Sequence, residues 1–556
     1  MSLKGKKWII KDDSIETSPF EKIVSNREVF SEPELTDFLD PFLFSEMEKI
    51  LEKIASAIHE NERIIIFGDY DVDGITGTAI LYKILSELGA NVSYRIPNRE
   101  KDGYGLSMKF IDEFIEKNIN LIITVDCGIS CFSEVKYAKE HSIDTIITDH
   151  HTIPEKSPED AYAILHPKTE NSNYPYKELT GAGVAFKLAQ ALIRSNFNKD
   201  QWLEKENSLV DLASMGTISD LGPLTGENRL IVKKGLKIIP ETKNFGLKKI
   251  IELSGIDVNQ PIDTYTIGFK IGPRINAAGR IDSPYVALSL LLQDENSDRL
   301  HALGEKLEHL NKERQNMMEK ALKESRQKAL SKEKTPFVIM DFSPDWHVGI
   351  LGLVAGRLAE KYFRPAIMMQ DFGDTLVASA RSPEYFNIVE VLTELKDLLI
   401  SFGGHASAAG FNLKKENYEE FYQKMQEIAE IKMKDKDLRP SLEIDCTLST
   451  SDINFDFIDK ISKLEPFGVK NSKPVFLLRN VEASDLTQVG RENKHLRFSI
   501  QTPTNKVETI AFDMGEYMED IREHNKIDLV FHLDKSFWKN ATSIKLQALD
   551  IDFSKN

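Results

Sequence analysis

Cysteine, long apolar runs and nucleotide-binding signatures are scarce or absent in this sequence of 556 residues. The three cysteines, Cys127, Cys131 and Cys446, are too few for a disulfide framework and are typical of a reducing compartment. No apolar run reaches the roughly 18 residues that span a bilayer, and no apolar signal segment follows the basic start of the chain. The sequence has no G-x-x-x-x-G-K-[ST] motif, which argues against an ATP-driven motor. We therefore expect a cytoplasmic protein without membrane association.

Basic residues are also in deficit, since 71 Lys and Arg face 88 Asp and Glu for a formal net charge of −17. This balance excludes a broadly basic surface for nucleic acid. It leaves room for a local groove in which phosphate binding depends on a few cations or on metal ions. The apolar fraction of 41% and charged fraction of 29% are those of a globular protein. The length predicts roughly three or four domains.

The residue pattern divides the chain into five segments. Residues 1–45 are expected to form an irregular arm. From 46 to 295, short β-branched runs alternate with helical stretches, which predicts an α/β domain with a parallel sheet. Residues 296–332 contain no Pro and repeat Leu at spacings of three and four, which predicts one long connecting helix, with a coiled coil as the alternative. Residues 333–435 predict a second α/β domain, and the short β-type runs in 436–556 predict a small β barrel.

Acidic residues directly follow three of the predicted strands. In open parallel sheets, sites form beyond the carboxyl ends of the strands, so we expect these side chains to share one crevice. Carboxylates this close repel one another unless a divalent cation neutralises them, and oxygen ligands with imidazole suit Mn²⁺ or Mg²⁺. Any one Asp could instead be a helix cap, but the whole set is hard to explain that way. The set comprises Asp69, Asp71 and Asp73 after 63–68, Asp126 after 121–125, and Asp149, His150 and His151 after 145–148.

The segments DYDVDG, VDCG, DHH and SMGTISDLGPL resemble the successive signature motifs of the DHH phosphoesterase family. The resemblance implies catalytic roles for Asp126, Asp149 and His151, with His151 facing the scissile phosphate and Asp149 orienting the histidines. Many family members have a His where this chain has Phe67, so the first metal would lose one ligand. The resemblance also implies two divalent cations, Mn²⁺ or Mg²⁺, held by Asp71, Asp73, Asp126, His150 and Asp220.

The segment SFGGHASAAGF resembles the GGH motif of the DHHA1-type substrate-binding domain found in this family, with a tight turn as the alternative interpretation. Segments 97–107, 271–281, 345–358 and 378–382 are similar to those of the family's single-strand-specific 5′→3′ DNA exonucleases. Arg suits phosphate because its planar fork donates two hydrogen bonds at once. The implied contacts with DNA and its 5′-terminal phosphate are Arg99, Arg280, Ser379, Arg381, Gly403, Gly404 and His405.

The C-terminal segments LEPFGVKNSKPVF and HLRF resemble the OB-type domain of the same exonucleases. OB folds bind single strands by stacking bases on aromatic rings along a basic groove. Aromatic residues on strands are more often part of the core, so the aromatic contacts stay open at this point. The candidate contacts are Lys494, Arg497, Phe498 and Trp538.

The resemblance implies a metal-dependent exonuclease that degrades single-stranded DNA 5′→3′ to 5′-mononucleotides in DNA repair and recombination. We expect a monomer, with a single-strand-binding protein and a helicase as candidate partners. Two alternatives remain. One is a DHH phosphodiesterase acting on short RNA or cyclic dinucleotides, and the other is a non-catalytic replication scaffold.

Overall fold

A computed structural model describes residues 2–14, 17–30, 34–99, 102–103, 105–330, 335–524, 526–538 and 541–553, apart from the side chains of 329, 330, 537, 538 and 541. The chain forms two compact units. The core unit comprises residues 38–222 and 234–438, and the barrel unit comprises residues 1–37, 223–233 and 439–556. Within the described residues, no helix is both long enough and apolar enough to span a membrane.

The chain begins in the barrel unit with β1 (Lys7–Ile10) and α1 (Pro19–Ser25). A parallel sheet then forms in the core unit, with the described strands in the order β3-β2-β4-β5-β6. The central strands are buried along their length, as expected where helices cover both faces. The order reverses direction at β2, which places a crevice between the carboxyl ends of β2 and β4. The elements are α2 (Met47–His59), β2 (Arg63–Gly68), α3 (Val72–Glu87), β3 (Asn91–Arg95), α4 (Met108–Glu116), β4 (Leu121–Val125), α5 (Phe132–Glu140), β5 (Asp144–Thr148), β6 (Ala163–Leu165), α6 (Gly181–Asn196) and α7 (Lys199–Ser219).

Helices follow this sheet and lead to the second half of the core unit. They are α8 (Gly226–Ile238), α9 (Phe245–Leu253), α10 (Thr264–Thr266), a π-helical turn (Ile267–Ile271), α11 (Gly272–Ile281), α12 (Tyr285–Leu291) and α13 (Asp298–Leu330). The last of these has 33 residues and is therefore about 50 Å long. Because α13 packs on α9, α11 and α12 and also on the next helix of the chain, it joins the two halves of the core unit, as predicted.

A mixed sheet forms the second half of the core unit, in the order β10-β11-β9-β8-β7. The pair β7–β8 is parallel and the other pairs are antiparallel. The strand order places β10 at one edge of the sheet. One face of the sheet packs on a core that contains Phe386, Phe411 and Phe421. The elements are β7 (Ile339–Ser343), α14 (Val348–Tyr362), β8 (Ala366–Asp371), β9 (Thr375–Arg381), α15 (Ile388–Glu394), β10 (Leu399–His405), β11 (Ala408–Lys414) and α16 (Tyr418–Met433).

The barrel unit is a six-stranded sheet in which β17 also pairs with β14 and so closes the barrel. The N-terminal segment, expected to be irregular, belongs to this unit. Its strand β1 pairs in parallel with β12, and Arg27 forms a buried ion pair with Asp445 at 2.9 Å. The elements are β12 (Ser441–Ile444), β13 (Cys446–Leu448), α17 (Phe455–Ser462), β14 (Phe476–Val489), β15 (His495–Gln501), β16 (Lys506–Ala511), α18 (Met518–His524), β17 (Lys526–Trp538) and β18 (Ala541–Phe553).

Candidate metal centre

The acidic residues after β2 form the first wall of the crevice. Asp69 follows the strand directly and is 4% exposed. Asp71 caps α3, because its Oδ1 accepts hydrogen bonds from the backbone N–H groups of Asp73 and Gly74 at 2.9 and 3.1 Å. Asp73 accepts hydrogen bonds from the N–H groups of Gly181 at 2.6 Å and Ala182 at 3.0 Å, at the start of α6. The cap and a second helix N-terminus therefore fix two of the three carboxylates.

Asp126 follows β4 and adopts a left-handed backbone conformation with φ +61°. This conformation is uncommon for a residue other than Gly and is often found at functional sites. Gly181 packs directly against Asp126, and a Cβ at Gly181 would lie 2.5 Å from the Asp126 Cβ. The glycine is therefore required for the close approach of α6 to this carboxylate.

The two histidines follow β5 and are oriented by Asp149. Its Oδ1 accepts hydrogen bonds from the backbone N–H of His150 (2.7 Å) and of His151 (3.1 Å) and lies 2.8 Å from the His151 Nδ1. Its Oδ2 accepts a hydrogen bond from the backbone N–H of Ile129 at 2.9 Å. These hydrogen bonds are the contacts that the orienting role implied by the resemblance requires of Asp149.

The His150 ring lies at the centre of the carboxylates. Its Nε2 is 3.1 Å from Asp126 Oδ1, 3.8 Å from Asp73 Oδ2 and 3.7 Å from Asp220 Oδ2, and Asp220 caps the end of α7. Three sets of potential ligand atoms each lie within 4.8 Å of one another. The sets are Asp73, His150 and Asp220; Asp69, Asp71 and Asp126; and Asp126, His150 and His151.

Burial and mutual repulsion make this site unfavourable for bare carboxylates. Burial, followed by the charge of Asp71, raises the pKa of Asp73 to about 7, and burial with the charge of Asp73 raises that of Asp220 to about 8. The pKa of Asp126 is raised well above its ordinary value for the same reasons. Burial lowers the pKa of His150 to about 3, so its ring is neutral and suited to ligate a metal.

Two buried polar atoms of the site lack a hydrogen-bond partner within the described part of the chain. Asp69 Oδ1 and His150 Nε2 are buried and form no hydrogen bond with any residue that the structure describes. Buried polar atoms normally have a partner, and a divalent cation would supply one to both. The donor set of carboxylate oxygens and neutral imidazole fits Mn²⁺ or Mg²⁺.

Phe67 is fully buried and points into the core rather than towards the ligands. Its ring lies 5.2 Å from that of Phe110 and 6.4 Å from that of Phe114, centroid to centroid. The residue therefore has a packing role on the face of the sheet covered by α4.

A cluster of arginines lies beside the metal centre. Arg280, at the end of α11, donates to the carbonyl of Gly349 at 3.2 Å, and burial together with the charges of Arg99 and Arg314 lowers its pKa to about 10. No carboxylate among the described residues forms an ion pair with Arg280 or Arg381. The first turns of α14 pack on the cluster from two positions. A Cβ at Gly352 would lie 3.1 Å from both Arg381 Nη2 and Ser379 Oγ, and a Cβ at Gly349 would overlap the Arg280 carbonyl oxygen.

The GGH tripeptide lies at the exposed edge of the second sheet. Gly403 pairs with Gly410 and His405 with Ala408 on β11, and these two partners pair in turn with Ser379 and Arg381 on β9. Two strand spacings of about 4.8 Å therefore separate the tripeptide from the arginine cluster. The structure includes Gly403, Gly404 and His405 in the same sheet as Ser379 and Arg381 but not in contact with them.

The predicted contacts of the barrel unit divide into three groups. Lys494 and Arg497 are exposed and lie near Glu492 (3.0 Å) and Glu508 (4.0 Å). Phe498 is 1% exposed and packs in the core of the barrel, so its prediction as a base-stacking residue is wrong. The side chain of Trp538 lies outside the described residues.

Asp69, which the sequence placed in the crevice but not among the metal ligands, belongs to a ligand set in the structure. The structure adds three residues that the sequence did not assign to the site. Arg314 on α13 contributes charge to the arginine cluster. His166 and Lys168, in the loop after β6, contact the backbone of the histidines. No spacing or periodicity in the sequence pointed to these three.

The fold and the site define a DHH-type phosphoesterase with an added barrel domain. The DHH family N-terminal domain matches residues 63–217, the DHHA1 domain residues 334–430 and the RecJ OB domain residues 444–550. The predicted fold class is thereby confirmed.

Curated relatives and solved structures also point to the DHH phosphoesterases. The chain is 38% identical to the single-stranded-DNA-specific exonuclease RecJ of Bacillus subtilis over 93% of this chain and 65% of the relative. It is 35% identical to RecJ of Salmonella typhimurium over 91% of this chain and 90% of the relative. The crystal structure of Thermus thermophilus RecJ with Mn²⁺ matches with a TM-score of 0.83 at 28% identity, covering 100% of this chain and 80% of that chain. The structure of the same protein with Mg²⁺ matches with a TM-score of 0.76 at 27% identity, covering 99% of this chain and 79% of that chain.

The chain belongs to the RecJ family of single-stranded-DNA-specific exonucleases. The prediction of an exonuclease is confirmed by this membership. The prediction of a divalent-cation cofactor is confirmed by the ligand sets and by the Mn²⁺ and Mg²⁺ complexes of the relative.

Proposed function

We propose that this chain hydrolyses single-stranded DNA from its 5′ end to 5′-mononucleotides, with two divalent cations, in DNA repair and recombination. The observation that supports this best is the convergence of five carboxylates and His150 at the carboxyl ends of neighbouring strands. Its residues form two ligand sets, one containing Asp73 and Asp220 and the other Asp69 and Asp71. Asp126 lies 3.1 Å from His150 of the first set and belongs to the second, so its carboxylate would help to hold a cation at either set.

When bound, Mn²⁺ or Mg²⁺ would neutralise these carboxylates and act as a Lewis acid on the phosphodiester. The side chains of the protein would orient the phosphodiester next to the bound cations. Asp149 holds His151 through Nδ1, and the other ring nitrogen, Nε2, would contact a phosphoryl oxygen of the scissile group.

The arginine cluster fits the terminal phosphate of the strand. Arg280 and Arg381 are partly buried cations without an acidic partner among the described residues, and a phosphate dianion would compensate both. The N-terminal turn of α14 adds backbone dipoles that favour an anion. With Arg99 and Ser379, this pocket would bind the 5′ phosphate and determine the polarity of digestion. The GGH tripeptide would then contact the strand from the same sheet.

Digestion of one long oligonucleotide labelled at either end tests the proposal. With Mn²⁺, the 5′ label should appear at once as a mononucleotide, while the 3′ label should remain on strands that shorten progressively. A duplex of the same sequence and the Asp126→Ala variant serve as controls and should give no product. Immediate release of the 3′ label, cleavage restricted to very short RNA or dinucleotides, or the absence of hydrolysis by the native protein would each contradict it.

We also propose that the protein acts in the cytoplasm as a monomer, with a single-strand-binding protein and a helicase as partners. The barrel unit supports the partner part of this proposal, because Lys494 and Arg497 are exposed and an acidic partner segment would compete for them with Glu492 and Glu508. Sedimentation of the purified protein, alone and with single-strand-binding protein, measures both the oligomeric state and the association.

A further inference from the structure

Two side chains from the loop after β6 hold the backbone of the histidine pair from behind. His166 is fully buried, and its Nε2 lies 2.9 Å from the carbonyl oxygen of His151. Lys168 donates from Nζ to the carbonyl of His150 at 3.2 Å. Neither side chain belongs to the ligand sets described above.

The hydrogen bonds of His166 identify which ring nitrogen is the donor. The backbone N–H of Lys168 donates to His166 Nδ1 at 3.0 Å, so Nδ1 is the acceptor. In the neutral ring the proton is then on Nε2, where it is donated to the His151 carbonyl. Both ring nitrogens therefore form hydrogen bonds with backbone groups, Nδ1 with the N–H of Lys168 in its own loop and Nε2 with the carbonyl of His151 after β5.

Together with Asp149, these side chains account for every backbone polar group of the dipeptide. Asp149 accepts from the N–H groups of His150 and His151, while Lys168 and His166 donate to their two carbonyls. The dipeptide lies beyond the end of β5, where no strand ladder supports it. Rotation of the central peptide unit would break contacts on both sides, so the direction of the His150 Cα–Cβ bond, from which the ring extends, is fixed.

We propose that His166 and Lys168 are positioning residues of the metal centre, which hold the His150–His151 backbone so that His150 Nε2 faces a divalent cation. This inference rests on the metal-ligand role of His150 under the proposed function. Residues that orient metal ligands typically change metal affinity by about 10- to 100-fold when they are replaced.

Calorimetric titration with Mn²⁺, without substrate, tests the proposal on the full chain. His166→Leu fills the volume without a donor and should weaken Mn²⁺ binding about 10- to 100-fold. His166→Gln places an amide N–H close to the position of Nε2 and should recover most of the affinity. His532→Leu is the matched control, because His532 is a partly buried histidine on β17 whose Nδ1 lies 2.7 Å from the Pro474 carbonyl. It should lower the melting temperature but leave Mn²⁺ affinity unchanged.

A second pair of variants covers the case in which His166→Leu does not fold. Lys168 is partly exposed, so Lys168→Met should fold and bind Mn²⁺ about fivefold more weakly, as expected for one lost hydrogen bond, and Lys168→Arg should restore binding. Two results together would overturn the proposal. Lys168→Met would keep the native Mn²⁺ affinity, and His166→Leu and His166→Gln would either both keep it or both be weakened to the same extent. Failure of the native protein to bind Mn²⁺ would instead refute the proposed function, and this inference with it.

Discussion

Asp126 shows how much structure one ligand requires. Its carboxylate belongs to two ligand sets, its backbone has a positive φ, and the residue is 2% exposed. Each condition costs free energy, because left-handed backbone and buried charge are both unfavourable. The neighbouring glycine gives the carboxylate the space it needs, the ring of His150 is neutral, and a bound cation would offset the carboxylate charge.

Arg280 should determine the preference for phosphorylated ends. Because Arg280 is a partly buried cation with no acidic partner among the described residues, Arg280→Ala should lower kcat/KM on 5′-phosphorylated strands at least tenfold more than on 5′-hydroxyl strands. The control is Arg274→Ala on the same helix, whose Nε pairs with Glu308 at 2.8 Å and which should keep the native ratio. An equal loss on both ends would remove Arg280 from the pocket.

Phe67 should be a packing residue with no effect on the metal. Phe67→His places a polar ring against Phe110 and Phe114 and should lower the free energy of unfolding by about 3 kcal/mol, whereas Phe67→Leu should cost about 1 kcal/mol. Urea denaturation measures the stability, and calorimetry measures Mn²⁺ affinity. Tighter Mn²⁺ binding by Phe67→His would show that the ring can reach the ligands.

At the scale of elements, the site could be predicted where a strand end positions a side chain. The buried runs 63–68, 121–125 and 145–148 are strands, and the acids that follow them converge because parallel strands end at one edge. The prediction for Phe498 was wrong because it overlooked the alternation along β15, which places Phe498 on the same buried face as Leu496 and Ile500. His166 and Lys168 were missed because their role depends on the pairing of β6 beside β5, which no local pattern encodes.

The contact between α6 and the end of β4 gives a prediction at this scale. Gly181→Ala would place a methyl group 2.5 Å from the Asp126 Cβ, so the helix or the carboxylate must shift. We expect Mn²⁺ affinity to fall at least tenfold, measured by calorimetry, because displaced ligands bind poorly. Gly356→Ala in α14 is the control, since its nearest new contact is 3.9 Å away. Native Mn²⁺ affinity in Gly181→Ala would show that this approach is not needed.

At the scale of the whole molecule, the order of domains could be predicted but the role of the first residues could not. Composition separated two α/β regions, a long helix and a β region. The pairing of β1 with β12 joins residues more than 400 positions apart, for instance Lys7 with Ser441. Such a contact depends on the assembled barrel unit and leaves no mark in local sequence.

The N-terminal segment should therefore stabilise the barrel unit. Arg27 donates to both carboxylate oxygens of Asp445 and to the carbonyls of Ile23 and Ser472. Removing one partner of a buried ion pair typically costs about 3–5 kcal/mol, so Arg27→Ala should lower the stability of this unit by that amount in denaturation experiments. Lys11→Ala, which breaks the exposed pair with Glu443, should cost less than about 1 kcal/mol. Equal effects would contradict the structural role of the segment.

Anomalous diffraction from crystals of the full chain grown with Mn²⁺ tests the convergence of the ligands most directly. The account predicts two peaks about 3.5–4 Å apart. One should lie among Asp73, His150 and Asp220, the other among Asp69 and Asp71, and Asp126 should contact both. A single peak elsewhere in the chain, or none at these residues in saturating Mn²⁺, would contradict it.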